Sequence, residues 1–159
     1  MNITIYAVGK IKERFYADAV SEYAKRLSRY CRFRIVEVAD EKAPEQLTAH
    51  ERELILRKEG ARILAKTDPK MYLIALAIEG QAMDSCAFSQ LLEGLSGQGH
   101  PDIGFVIGGS LGLSAEVLDR ADLCISFSAM TFPHQLMRVI LSEQIYRGFR
   151  IARKEPYHK

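Results

Sequence analysis

The chain has 159 residues, 48% hydrophobic and 26% charged with a net charge of +2, the balance of one ordinary globular domain. Its longest apolar run, Met71 to Ile78, is too short to span a bilayer, and no basic stretch followed by an apolar one opens the chain, so neither a transmembrane span nor a secretory signal is expected. Cys31, Cys86 and Cys124 are scattered, odd in number and form no CxxC pair, so neither a disulfide frame nor a zinc knuckle is indicated and buried free thiols in a reducing cytoplasm are expected.

Asn2 to Val8 alternates and is rich in β-branched residues, which predicts a first strand closed by Gly9. From Glu13 to Tyr30, apolar groups at Tyr16, Ala19, Val20, Tyr23, Leu27 and Tyr30 form a one-sided helical stripe. Phe33 to Ala39 reads as the second strand and Asp40 to Pro44 as a turn, with Pro44 suited to the first position of the next helix. That helix is expected to reach about Lys66 as an exposed layer, with Leu47, Leu54, Ala61 and Leu64 inward, before Thr67-Asp68-Pro69 breaks it. Met71 to Ile78 has the continuous apolar pattern of a strand covered on both faces, and Glu79-Gly80 is expected to turn the chain. Ser85 is expected to cap a helix through Leu95. Ile103 to Ile107 is another buried strand, running into Gly108-Gly109-Ser110-Leu111-Gly112, and Ser114 caps a short helix to Arg120. Ala121 to Phe127 is the fifth strand, and a last helix runs from near Pro133 to about Ile151. The alternation of strand and helix predicts an α/β fold: a mostly parallel sheet of five or six strands with helices on both faces, one domain over residues 1–159.

Open parallel sheets bind ligands beyond the carboxyl ends of their strands. Three ends are distinctive: Leu76 to Gly80, Gly108 to Gly112, and Phe127 to Pro133. The glycine run lacks the spacing of a dinucleotide fingerprint and the Lys-Ser/Thr of a P-loop. It reads either as a tight strand-to-helix turn or as a place where a ligand approaches the backbone. Pro133 biases Phe132 away from helix, so this loop should be extended, with free backbone groups beside apolar side chains. That combination suits an adenine ring. The last helix is apolar nearly all round in its first turns, through Leu136, Met137, Val139, Ile140, Leu141 and Ile145; it is either central to the core or packed against another subunit. Glu143, Arg147 and Arg150 share a polar face, and Arg147 either pairs with Glu143 or presents its fork to a phosphate or an anionic base.

Charge is uneven along the chain. Residues 138–159 hold six Lys or Arg against two Glu, giving +4, so the remainder sums to −2. Lys25, Arg26, Arg29, Arg32 and Arg34 form a second basic cluster. Both patterns point to an anionic partner or to solvated helix faces. The tail Glu155-Pro156-Tyr157-His158-Lys159 carries aromatic, imidazole and cationic groups, and is either a segment that docks on a partner or ligand, or a solvated end.

Three segments carry a resemblance. Phe105 to Ser114 (FVIGGSLGLS), Ser128 to Arg147 (SAMTFPHQLMRVILSEQIYR) and Pro156 to Lys159 (PYHK) resemble the ribosomal RNA large-subunit methyltransferase H family of the SPOUT superfamily, and the likeness covers essentially the whole chain. Lys154 and Gly148 depart from the pattern, where glycine and alanine are common. The resemblance implies a C-terminal trefoil knot, S-adenosyl-L-methionine as cofactor, a homodimer, and methylation of N3 of a pseudouridine in 23S rRNA on the assembled ribosome, with no metal and no membrane. It implies Leu76, Gly108, Phe127, Ser128, Ala129, Met130, Thr131 and Phe132 as cofactor-binding residues. His134, Arg147, Tyr157 and His158 match its substrate-side groups. On that footing Arg147 would stabilise a deprotonated imide, His158 would act as base and Tyr157 would orient the nucleobase. His134 would hold the loop or contact RNA. A mobile tail, ordered only with ribosome and cofactor, would suit those roles. The competing expectation is a non-catalytic nucleotide-binding or ribosome-binding α/β protein.

Overall fold

The computed structural model describes residues 1–159. Its elements are β1 (Asn2–Val8), α1 (Arg14–Leu27), β2 (Arg32–Val38), α2 (Ala49–Leu64), β3 (Tyr72–Ala82), α3 (Ser85–Gly97), β4 (Asp102–Ile107), α4 (Ala115–Arg120), β5 (Leu123–Ser126) and α5 (His134–Ala152). The five strands form one sheet in the order β2-β1-β4-β3-β5, every pair parallel, as the alternation of the sequence predicts. The central strands β1 and β4 are buried on both faces, which is why their sequences are almost wholly apolar.

Side-chain alternation divides the core. Ile3, Ile5, Ile74, Ile103 and Phe105 face α1, α3 and α5, where they meet Leu27, Phe88, Leu92, Leu141 and Ile145. Tyr6, Val8, Leu73 and Val106 face the other way, against Ile63 of α2 and Val117 of α4. Helix α5 lies between α1 and α3. It buries Arg138, Leu141, Ser142, Ile145, Tyr146 and Gly148, and leaves Leu136, Val139 and Ile140 half-buried along one flank. No helix is long and apolar enough to cross a membrane.

Several boundaries differ from expectation for physical reasons. Glu79-Gly80 is no turn: β3 continues to Ala82, and its register against β5 shifts between Leu76 and Gln81. A Cβ on Gly80 would lie 2.6 Å from the Ile125 carbonyl carbon, so glycine is what lets the two backbones approach. Helix α2 begins after Thr48, which forms a reciprocal capping box with Glu51; Pro44 lies in the preceding loop. Its inward face is Glu59, Gly60 and Ile63, whereas Leu54 and Ala61 are exposed. Gly60 sets that phase, because any Cβ there would overlap Ser114 Oγ of α4's cap. Asp84, not Ser85, caps α3, accepting from the Ala87 N–H at 2.8 Å. Strand β5 is shorter than expected, Leu123–Ser126.

Candidate active site

The carboxyl ends of β3, β4 and β5 converge on one cleft of about 520 Å³. Leu76 to Glu79 form one wall, Ile107 to Leu113 a second, and Ser126 to Ser128 with Met130 to Phe132 a third. His134 and Met137 close the floor from α5, and Arg52 and Leu56 reach in from α2. Of the eight residues that the resemblance implies for the cofactor, only Ala129 is absent from the lining.

Each wall has a local cause. A Cβ on Gly108 would overlap the Gly112 carbonyl, and Gly112 has a φ of +93°, so the glycine run folds back on itself where β4 ends. The Gly112 N–H donates to the Gly109 carbonyl at 3.1 Å, and Arg52 Nη2 donates to the Leu111 carbonyl at 3.2 Å, tying α2 to this loop. After β5, Ser128 makes its own turn: its Oγ accepts from the Met130 N–H at 2.9 Å and its carbonyl accepts from Ser126 Oγ at 3.2 Å. From Ser128 to Phe132 the Met130 N–H is the only backbone donor bonded within the chain. The loop therefore offers free backbone hydrogen-bonding groups beside Leu76, Leu113 and Phe127.

The start of α5 is fixed from below. Arg138 is 0% exposed; Nη1 donates to Glu37 Oε1, and Nη2 to the Val8 and Gly9 carbonyls, each at 2.9 Å. Gln135 Oε1 accepts from the Lys12 N–H at 2.8 Å, which anchors the loop after β1. His134 is half-buried, and its Nδ1 has no partner. Burial, and then the neighbouring Arg138 cation, hold its imidazole below its ordinary pKa against an opposing pull from Asp40. A ring held low stays neutral at neutral pH.

Arg147, Tyr157 and His158 stand elsewhere. None lines the cleft, and Arg147 lies about 20 Å along the helix axis from His134 at 1.5 Å per residue. They gather around Glu143. Its Oε1 accepts from Arg147 Nε at 3.0 Å, Arg147 Nη2 at 2.6 Å and the Tyr157 hydroxyl at 3.0 Å. Arg147 also covers the Tyr157 ring at 4.7 Å. Burial, then the bond to Glu143, push the Tyr157 phenol well above its usual range, so it remains protonated. Arg147 Nη1 meets His158 Nδ1 at 3.3 Å. A guanidinium only donates, so Nδ1 accepts and the ring proton sits on Nε2, facing Cys86 Sγ at 3.8 Å.

The tail packs against its own chain. Arg150 Nη2 donates to the Pro156 carbonyl at 2.9 Å, Arg150 pairs with Glu155 at 2.7 Å, and the Tyr30 hydroxyl also bonds Glu155. The sequence reading also passed over Arg52, Glu59 and Arg138; of the thiols expected to be buried, Cys31 is, Cys124 is half-buried, and Cys86 is exposed because it lies on the open face of α3 beside His158. Glu59 is 5% exposed, sits against Gly109 and accepts from the Glu41 N–H at 3.0 Å. Its signal was a carboxylate between Leu56 and Ile63 on one helical face. No group of three or more His, Cys, Asp or Glu side chains is assembled to hold a metal ion.

Comparison with known proteins identifies the architecture. A family model described as a predicted SPOUT methyltransferase matches residues 1–158. The chain is 55% identical to the ribosomal RNA large subunit methyltransferase H of Clostridium kluyveri and 58% identical to that of Ligilactobacillus salivarius, each over 159 residues and the full length of both proteins. Among solved structures it resembles a probable methylase family protein from Haemophilus influenzae Rd KW20, with a TM-score of 0.50 and 11% identity over 96% of this chain and 66% of that one, a likeness of fold alone. With its parallel sheet and a cleft at three strand ends, the chain belongs to the SPOUT methyltransferase family.

Proposed function

We propose that this protein transfers a methyl group from S-adenosyl-L-methionine to N3 of a pseudouridine in 23S ribosomal RNA on the assembled ribosome, acting as a homodimer in the cytoplasm. The convergence of three strand ends on one cleft, with unpaired backbone donors beside apolar walls, carries this reading. The chemistry of the lining fits the cofactor: the backbone of 127–132 suits the polar edge of an adenine, and Leu76, Leu113 and Phe127 suit its faces. The cofactor, when bound, supplies an electrophilic methyl on a sulfonium. The close approach of β3 to β5 at Gly80 accords with a C-terminal segment tied as a trefoil knot.

The protein's part is largely positioning. The cleft holds the donor, and the Arg147 guanidinium stabilises negative charge on a deprotonated imide. Tyr157, kept as a phenol, orients the nucleobase by hydrogen bonding and stacking. His158 accepts the N3 proton at Nδ1, which requires that ring to leave Arg147 and the tail to shift. The distance between the cleft and the Glu143 cluster favours delivery of Arg147, Tyr157 and His158 from a second copy. The half-buried flank of Leu136, Val139 and Ile140 is the apolar surface available for that packing. The comparatives' names support the substrate class, large-subunit ribosomal RNA.

The test is transfer of tritiated methyl to ribosomes from a strain lacking the modification. Label in N3-methylpseudouridine of the large-subunit RNA is the expected result. Binding of donor and ribosome without label in RNA overturns catalysis and favours the non-catalytic alternative.

A further inference from the structure

Arginines that lack a carboxylate partner are confined to two places. Arg29, Arg32, Arg34, Arg52 and Arg153 have none within 4.0 Å, whereas every other arginine has one. Arg52 belongs to the cleft. The other four lie at the opposite end of the sheet, where α1 and α5 finish and β2 begins. A seven-residue strand separates the two ends by about 23 Å.

The four form one exposed patch. Arg153 lies over the Tyr30 ring at 4.6 Å, and Tyr30 stacks on Phe149 with centroids 5.4 Å apart and planes 18° apart. Arg29 precedes Tyr30, and the Arg32 N–H bonds the Met1 carbonyl at 3.1 Å. Arg32 and Arg34 point to the same side of the edge strand β2, lining a shallow groove with Asn2, Thr4 and Asp102. Lys25 and Lys154 add exposed ammonium groups without carboxylate partners. Nearby acids are engaged: Glu22 with Arg26, Glu155 with Arg150, and Asp102 with the Asn2 amide at 2.6 Å. Glu93, in the groove beside Phe149 and Arg153, is the exception.

We infer that this patch is a second RNA-docking surface, gripping phosphates of the substrate RNA at the end of the sheet opposite the same chain's cleft. The inference rests on the proposed RNA substrate. Free arginine forks suit phosphate oxygens, and an edge strand presenting two of them in succession suits a backbone with repeating charge. The patch lies outside the cleft and the Glu143 cluster, so it sets affinity for RNA without touching the donor.

Two variants of the full-length chain separate local from overall charge: Arg29→Gln/Arg32→Gln/Arg153→Gln in the patch, and Lys58→Gln/Lys66→Gln/Lys70→Gln on the exposed α2 side. The probes are protein-free large-subunit ribosomal RNA in a salt series, unmodified ribosomes in the transfer assay, and S-adenosyl-L-methionine in calorimetry. The patch variant should bind RNA at least about tenfold more weakly, with a log–log salt slope flatter by about 2 to 3, since each lost phosphate contact removes roughly 0.7–0.9. Its KM for ribosomes should rise while kcat and donor affinity hold, and the control variant should match wild type. Equal RNA binding by the two variants overturns the inference. So does weakened binding to ribosomes with unchanged binding to protein-free RNA, which would assign the patch to an acidic ribosomal protein. Wild type that binds RNA at this patch yet transfers no methyl overturns the proposed reaction and leaves the surface standing.

Discussion

Arg138 gives up its hydration to bond two carbonyls at the end of β1 and the carboxylate of Glu37 on β2. Burial lowers its pKa, opposed by Glu37, but an arginine remains charged at any working pH. A buried cation persists only where hydrogen bonds offset its lost hydration; the two Nη groups of Arg138 supply three such bonds while its Nε–H has no partner, and those bonds set the height of α5 and hence the position of His134 at the cleft floor. Replacing it with methionine strands two carbonyls and one carboxylate. Arg138→Met should therefore cost about 3 kcal/mol, at the low end for a broken buried pair because Glu37 is partly solvated. Urea unfolding would show this, and an unchanged midpoint would contradict the role. The residue was legible in principle. Its neighbours at i+3, i+4 and i+7 are Leu141, Ser142 and Ile145, so any reading that buries those must bury Arg138 as well.

At the scale of elements, α5 does two jobs. One side fills the layer between α1 and α3; the flank of Leu136, Val139 and Ile140 stays half-open. Ile140→Glu places a charge on that flank without entering the core, so the chain should fold and fail to pair. Sedimentation would then give monomers or aggregates, whereas a normal dimer would rule out this flank as the contact. The strands were readable because a doubly covered strand must be apolar throughout, as in Ile103 to Ile107. Two elements resisted. Glu79-Gly80-Gln81 has the composition of a turn, and only pairing with β5, distant in sequence, keeps it extended. The phase of α2 is set by Gly60 meeting Ser114, a tertiary contact that overrides the heptad of Leu47, Leu54 and Ala61.

For the whole molecule, the cleft was legible because glycines and an extended X-Pro loop mark strand ends in any open parallel sheet. The resting place of the tail was not, since nothing in Tyr157 or His158 announces Glu143 as an acceptor shared with Arg147. If the tail serves a neighbour's cleft, defects in the two parts should complement. A chain lacking residues 157–159 and a Leu76→Trp chain with a filled cleft should each be inactive alone. Mixed and re-annealed, they should recover roughly a quarter of wild-type turnover, from one intact site in half of the dimers. No recovery in verified mixed dimers would place tail and cleft in the same chain's site.

The approach of β3 to β5 at Gly80 reaches further than one glycine. The two strands are paired on both sides of Gly80 and leave no room for a Cβ between them, so the first and third walls of the cleft are effectively welded and cannot swing apart as a hinged pair. Admission of a ligand then falls to supple parts of the rim, such as the thioether arm of Met130, 73% exposed, and not to any parting of the sheet.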